Sequence, residues 1–252
     1  MDLRGKTAIV TGGTKGIGGA IAEALLREGV TVCIAARHIH GADLAFENLR
    51  REGIGHAFIF PCDVRDYDQV KALVDYTVRQ LAGLDILINN AGGLVRRVPI
   101  ADLDDAFFDQ VMDLNVRSLV AACSAAIPRM REGGHGNIIN VTSIAARHGG
   151  GSGAVLYASA KGFVSTFTRG LAKEVVKDGI RVNAVSPGVI TTPFHERYST
   201  PQMLESFKST IPMGRLGTAD ECVGAFLYLA SDALSGYVTG QILEVNGGQL
   251  MP

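Results

Sequence analysis

The stretch Thr7-Ala8-Ile9-Val10-Thr11-Gly12-Gly13-Thr14-Lys15-Gly16-Ile17-Gly18 decides the fold. Thr7–Thr11 is a short apolar run rich in β-branched residues, which reads as a buried strand. Gly12, Gly16 and Gly18 follow at the junction, and residues 20–26 then repeat at helical spacing. A strand, a glycine turn and a helix start in that order make a phosphate site. Glycine lets the backbone approach an anion, and the free N–H groups of the first helical turn face it. The spacing is G-x-x-x-G-x-G rather than the commoner G-x-G-x-x-G.

Outward from that junction, strands and helices alternate. Residues 30–36 form a second strand-like run ending in Ala36-Arg37-His38. At this point of a dinucleotide fold an acidic residue bonds the ribose hydroxyls, whereas an arginine accommodates a 2′-phosphate. Arg37 stands here with Lys15 close by and no carboxylate, so NADP(H) is expected in preference to NAD(H), with NAD(H) still possible. Residues 41–51 carry an amphipathic helix pattern, 57–62 a strand running into Asp63-Val64, 70–81 a helix, and 85–89 a strand closed by Asn89-Asn90-Ala91-Gly92. Short links between such units specify an α/β, doubly wound parallel sheet. Asp63 and Asn90 then fall at the carboxyl ends of strands, the edge where ligands lie in such sheets.

The second half supplies the chemistry. Residues 103–130 are helical, as one run or two in series, with Pro128 near the end and Asn115 among apolar neighbours. A strand over 138–141 leads to Thr142-Ser143, and 145–153 is a glycine-rich loop holding Arg147 and His148. A helix over 155–177 carries Tyr157 and Lys161 one turn apart on one face. A phenol ionises near pH ~10, and a fixed cation beside it favours the phenolate, making the tyrosine a usable proton donor or acceptor. The same pair also suits a packed aromatic beside a solvated lysine. A strand over 180–185, the turn Ser186-Pro187-Gly188-Val189-Ile190-Thr191-Thr192-Pro193, a weakly patterned stretch over 194–213, the helix Ala219–Ala230 and a strand over 241–245 complete the chain.

Composition narrows the classes. The 252 residues are 47% hydrophobic and 19% charged, ordinary for a globular protein, and the absence of a repeat or composition break predicts one domain over 1–252. A formal net charge of −1 gives no field for nucleic acid or an anionic membrane surface. No secretory pattern is visible before the first strand and no apolar run approaches ~20 residues, so a cytoplasmic, non-membrane protein is expected. Cys33, Cys62, Cys123 and Cys222 match neither a zinc spacing nor a disulfide framework and read as reduced core residues; no metal is expected.

Taken together, the glycine turn, Asn89–Gly92, Asn115, Ser143, Tyr157, Lys161 and Pro187-Gly188 make the chain resemble the short-chain dehydrogenase/reductase family over essentially its whole length, including its 3-oxoacyl-(acyl-carrier-protein) reductase-like members. The resemblance implies a Rossmann-type, seven-stranded parallel sheet with helices on both faces. It implies that Gly12, Gly16, Ile17 and Gly18 hold the pyrophosphate, that Thr14 also touches the cofactor, and that Lys15 and Arg37 hold the 2′-phosphate. Asp63 and Val64 would meet adenine, and Asn90, Ala91 and Gly92 the adjacent ribose. Pro187, Gly188, Ile190 and Thr192 would hold the nicotinamide end, and Asn115, Ser143, Tyr157 and Lys161 would form the catalytic tetrad, the last two also touching the cofactor. The interval from Ser143 to Tyr157 is about one residue longer than the family's, which puts loop shape in question rather than the serine. The implied reaction interconverts a small-molecule ketone and a secondary alcohol in a homotetramer or homodimer. A sugar, polyol or other alcohol dehydrogenase using NAD is the alternative within the class. A nucleotide-binding protein that has lost catalysis is the alternative outside it, though such a protein has no need of an intact tetrad. An acyl-carrier substrate would need a basic patch, for which Arg96, Arg97, Arg129 and Arg131 are available.

Overall fold

In the computed structural model, which describes residues 1–37, 46 and 51–251, the first strand lies in the interior of one parallel sheet. The strands are β1 (Thr7–Thr11), β2 (Thr31–Ala36), β3 (His56–Pro61), β4 (Ile86–Asn89), β5 (Gly136–Val141), β6 (Ile180–Pro187), a short outlying pair β7 (Ile190–Thr191) and β8 (Gly217–Thr218), and β9 (Ile242–Val245). The main sheet has seven strands in the order β3-β2-β1-β4-β5-β6-β9, every pairing parallel. Strand order reverses between β1 and β4, and the crevice at that reversal opens beside Gly12 and Asn90. The helix expected over 41–51 and His38 lie, apart from Phe46 and Arg51, outside the described residues.

Both faces of the sheet are covered, which is why its central strands read as unbroken apolar runs rather than alternating ones. Ala8, Val10, Ile86 and Ile88 pack with Ile21 and Leu25 of α1 (Gly16–Arg27) and with Phe226. Ile9, Leu87 and Ile138 turn the other way, onto Val70, Leu73 and Val74 of α2 (Tyr67–Leu81). All four cysteines are buried and free, and burial pushes the Cys62 thiol to about 11 and those of Cys123 and Cys222 to about 12.

Three segments differ from the pattern expected. The long helix is α3 (Asp105–Met112), one π turn over Asp113–Arg117, and α4 (Ser118–Gly133). It is long and apolar enough to cross a membrane, yet Cys123, Ala126, Ile127 and Met130 lie in the sheet's core, as in a core helix. The glycine-rich loop begins with one helical turn, α5 (Ala145–His148), before α6 (Val155–Val175). The weakly patterned stretch forms α7 (Pro193–Tyr198) and α8 (Pro201–Ser209). Each starts with a Thr-Pro pair, threonine at the N-cap and proline in the first turn, a start signal that short length hid from periodicity. They precede α9 (Ala219–Ala230), opened by a Thr218–Glu221 capping box, and α10 (Asp232–Ser235).

The amino edge of the sheet, away from the crevice, is fastened by polar contacts. Arg181 donates to Asp232 at 2.8 Å, and Lys6 reaches the same carboxylate at 2.8 Å. Asp85 accepts from the Thr7 amide at 2.6 Å and pairs with His135. That pairing raises the histidine above its ordinary 6.5, while the histidine and Thr7 hold Asp85 below its ordinary 3.8 despite burial. A raised histidine contributes stability that is complete below the unfolded value and lost as pH rises through the folded one. The carboxylate's share is lost on the acid side. His135→Gln should therefore destabilise the protein near pH ~5.5 by a few tenths to about 1 kcal/mol and by much less near pH ~9, as read by urea denaturation at both values.

Candidate active site

The glycine turn is built around Asn90. Its Nδ2 donates to Thr11 O at 2.9 Å and Gly12 O at 3.2 Å, and its amide and that of Ala91 both donate to Thr11 Oγ1 at 3.1 Å. A Cβ at Gly18 would lie 2.4 Å from Asn90 Nδ2 and from Gly12 O, so only glycine fits. Gly12 and Gly16 take φ +64° and +57°, the left-handed region. The N-cap of α1, Lys15, makes no side-chain cap, so the first-turn amides keep their donors for a ligand. The residues present thus fit a dinucleotide's pyrophosphate: bare backbone, a helix start and no side chain in the way. Thr14 and Ile17 are half-buried in the same turn.

The other expected contacts line the same edge. Val64 is buried, and Asp63 is held by Arg65 at 3.0 Å, which together with the charge of Arg37 keeps its carboxyl below the usual range. Lys15 and Arg37 are both exposed at the rim. Gly188 donates to Val245 O at 2.8 Å, and a Cβ there would meet Asn246 Cβ at 2.7 Å. Pro187 O accepts from the Ile144 amide at 3.0 Å, and Ile190 is buried. Thr192 comes over Gly16, its Cβ 3.5 Å from where a Gly16 Cβ would stand.

The tetrad positions converge next to it. Helix α6 is fastened to β5 by Thr142 Oγ1 donating to Lys161 O at 2.8 Å and by Asn140 Nδ2 donating to Thr168 Oγ1 at 2.9 Å. The Tyr157 hydroxyl lies near Ser143, whose Oγ accepts from the Ala145 amide at 3.1 Å. Lys161 is 4% exposed and its Nζ donates to Val141 O at 2.8 Å, 5.9 Å from the Tyr157 ring centre. Burial pushes the ammonium down to about 8 and the phenol up to about 12, with Ser143 partly opposing the latter. This differs from the lowered phenol expected of a nearby cation. In this structure desolvation is the largest influence on the phenol, which is protonated at neutral pH.

Asn115 is 2% exposed in the π turn, and its amide is spent on backbone: Nδ2 donates to Gly93 O and Val111 O at 2.9 Å each, and Oδ1 accepts from the Gly93 amide at 3.0 Å. A Cβ at Gly92 would stand 2.9 Å from both Asn115 Oδ1 and Lys161 Nζ, so glycine there keeps the lysine's neighbourhood open.

The wall facing Tyr157 comes from the stretch over 194–213, the expected substrate loop. Phe194 packs on Tyr157 at 5.9 Å between ring centres, and Tyr198 on Phe194 at 5.0 Å. His195 stands beside them with its Nδ1 at 2.9 Å from Ser199 Oγ; burial and the charge of Arg97 hold it neutral, at about 4. Of the four arginines named for a carrier patch, Arg129 is paired with Asp75 and Arg131 with Asp178, Arg96 lies over the Phe107 ring, and Arg97 faces this wall.

Residues 12–249 match a family model described as enoyl-(acyl carrier protein) reductase. The chain is 38% identical to the uncharacterized oxidoreductase YgfF of Escherichia coli, over 96% of this chain and 99% of that one. Among solved structures it is similar to the NADH-dependent reductase A1-R' complexed with NAD, with 40% identity, a TM-score of 0.88, and 100% of this chain and 99% of that chain covered. A short-chain type dehydrogenase/reductase from Mycobacterium marinum superposes with a TM-score of 0.93 at 34% identity, covering 100% of this chain and 98% of that one.

Asn115→Leu should strand three buried backbone groups, on Gly93 and Val111, and lower unfolding stability by about 2–4 kcal/mol. An unchanged denaturation midpoint would mean that the amide does not hold this loop.

Proposed function

The chain belongs to the short-chain dehydrogenase/reductase family and is an oxidoreductase, and from that footing we propose that it reduces a ketone to a secondary alcohol with a nicotinamide dinucleotide, Tyr157 delivering the proton. The gathering of Ser143, Tyr157 and the buried Lys161 at the carboxyl edge of the sheet carries this reading. The dinucleotide, when bound, supplies a hydride to the carbonyl carbon and leaves oxidised. Ser143 donates a hydrogen bond to the carbonyl oxygen as negative charge grows there. Tyr157 passes its proton to that oxygen, completing the alcohol. Lys161 orients the ribose hydroxyls and supports the phenol's charge change, and Asn115 holds the Gly92–Gly93 turn against it. Gly12, Thr14, Gly16, Ile17 and Gly18 receive the pyrophosphate; Asp63 and Val64 receive adenine; Asn90, Ala91 and Gly92 receive the ribose; Pro187, Gly188, Ile190 and Thr192 receive the nicotinamide end. The chain acts as one domain, in the cytoplasm, as a homotetramer or homodimer. The exposed Phe163, stacked on the half-buried Phe167 of α6 with 5.7 Å between ring centres, suits a subunit contact.

Tyr157→Phe should lower kcat by about 10²–10⁴-fold while dinucleotide affinity stays within a fewfold; near-normal turnover would end the assignment. In the wild type, reduction should be fastest below about pH 8, where Lys161 is charged and Tyr157 protonated, and should fall as pH rises through that value.

NADP(H) is the preferred partner in this reading, because Arg37 follows the end of β2, where a carboxylate would select NAD(H), and Lys15 adds a second cation from the glycine turn. A neighbour described as NADH-dependent favours the opposite choice. Parallel kcat/KM measurements with NADPH and NADH decide between them. Preference for NADPH that drops by about tenfold or more in Arg37→Ala supports the phosphate contact, and an unaltered ratio refutes it.

A further inference from the structure

Three substrate-side segments meet at Arg97. It lies in the segment after the Gly92–Gly93 turn, its Nη1 donates to Ser152 O at 2.9 Å, and its Nε donates to Tyr198 O at 3.1 Å. The seat is close-fitting: the Val98 amide donates to Gly153 O at 3.0 Å, and a Cβ at Gly153 would stand 3.0 Å from Arg97 Cβ. Both acceptors of the guanidinium are neutral carbonyls. Among the described residues no carboxylate lies within ion-pair distance of Arg97 and its Nη2 has no acceptor, whereas Arg129, Arg131 and Arg215 are each matched with an acid. Its neighbour His195 is uncharged and offers no compensation.

A half-buried guanidinium without a counter-charge is costly to hold. This one is fixed by two bonds, one of them to Tyr198, whose ring packs on Phe194, which in turn packs on Tyr157. A planar fork of N–H donors matches a carboxylate better than a ketone or hydroxyl. We propose that Arg97 receives the carboxylate of the substrate, so that the compound reduced at Tyr157 is an acid whose carbonyl group lies several atoms from its carboxylate. The inference rests on the reduction proposed above. It assigns the free acid rather than a carrier-bound thioester as the natural form.

The test compares 4-formylbenzoate with its methyl ester in wild type, Arg97→Gln and Arg97→Lys, with reduced dinucleotide saturating. Wild type should favour the acid in kcat/KM by about tenfold or more, mainly through KM. Arg97→Gln should bring the ratio near one, and Arg97→Lys should restore part of it. Reduction of both compounds by wild type without preference for the acid overturns the carboxylate seat and leaves the reductase reading standing, as does an unchanged ratio in Arg97→Gln. Calorimetric binding of terephthalate to the dinucleotide-loaded protein needs no turnover. Binding to wild type that Arg97→Gln abolishes supports the seat even if neither aldehyde is reduced, and no binding to wild type overturns it.

Discussion

The hydrogen bond from Thr142 Oγ1 to the Lys161 carbonyl holds the site together, since it joins the end of β5 to the helix that carries both Tyr157 and Lys161. Thr142 also meets Ser165 at 2.8 Å, and one turn further along Thr168 takes the amide of Asn140, whose own oxygen takes that of Asn89. Buried polar groups of this kind must be satisfied in one arrangement, so they fix the register of helix against strand more sharply than apolar contact could. Ser143 follows directly from Thr142, and its distance from Tyr157 is set by the same fastening. The site is therefore positioned from below, by the sheet, while its upper wall comes from α7.

This arrangement explains the balance of charge at the centre. The fastening draws the ammonium of Lys161 onto the Val141 carbonyl and out of water, and that desolvation lowers it toward neutrality while raising the phenol. The two groups, ordinarily close in pKa at 10.5 and 10.0, are thereby driven apart, to about 8 and about 12. A protonated donor at neutral pH suits the addition of a proton to a forming alkoxide.

Much of this was legible in the sequence, for identifiable reasons. Strands such as Thr7–Thr11 stand out because burial on both faces demands continuous apolar residues. Gly18 stands out because Asn90 excludes any side chain there. The π turn at Asn115 was not legible, since its hydrophobic period differs little from that of the helices on either side and only the side chain's bonds to Gly93 reveal it. Helices α7 and α8 are too short for periodicity to register. Arg97 was visible only as one of four basic residues, because sequence cannot tell a cation matched with an acid, such as Arg131, from one that meets only carbonyls.

The four interior thiols carry a consequence of their own. With Cys62 raised to about 11 and Cys123 and Cys222 to about 12, almost none of their sulfur is thiolate at neutral pH, and none of the four is open to solvent. Cys33 and Cys62 lie beneath β2 and β3, Cys123 under α4, and Cys222 beneath α9 on the opposite face. An alkylating reagent can reach each sulfur only when its own layer parts from the sheet. The protein thus contains native markers on both faces of the sheet, which record the parting of either layer without any added label.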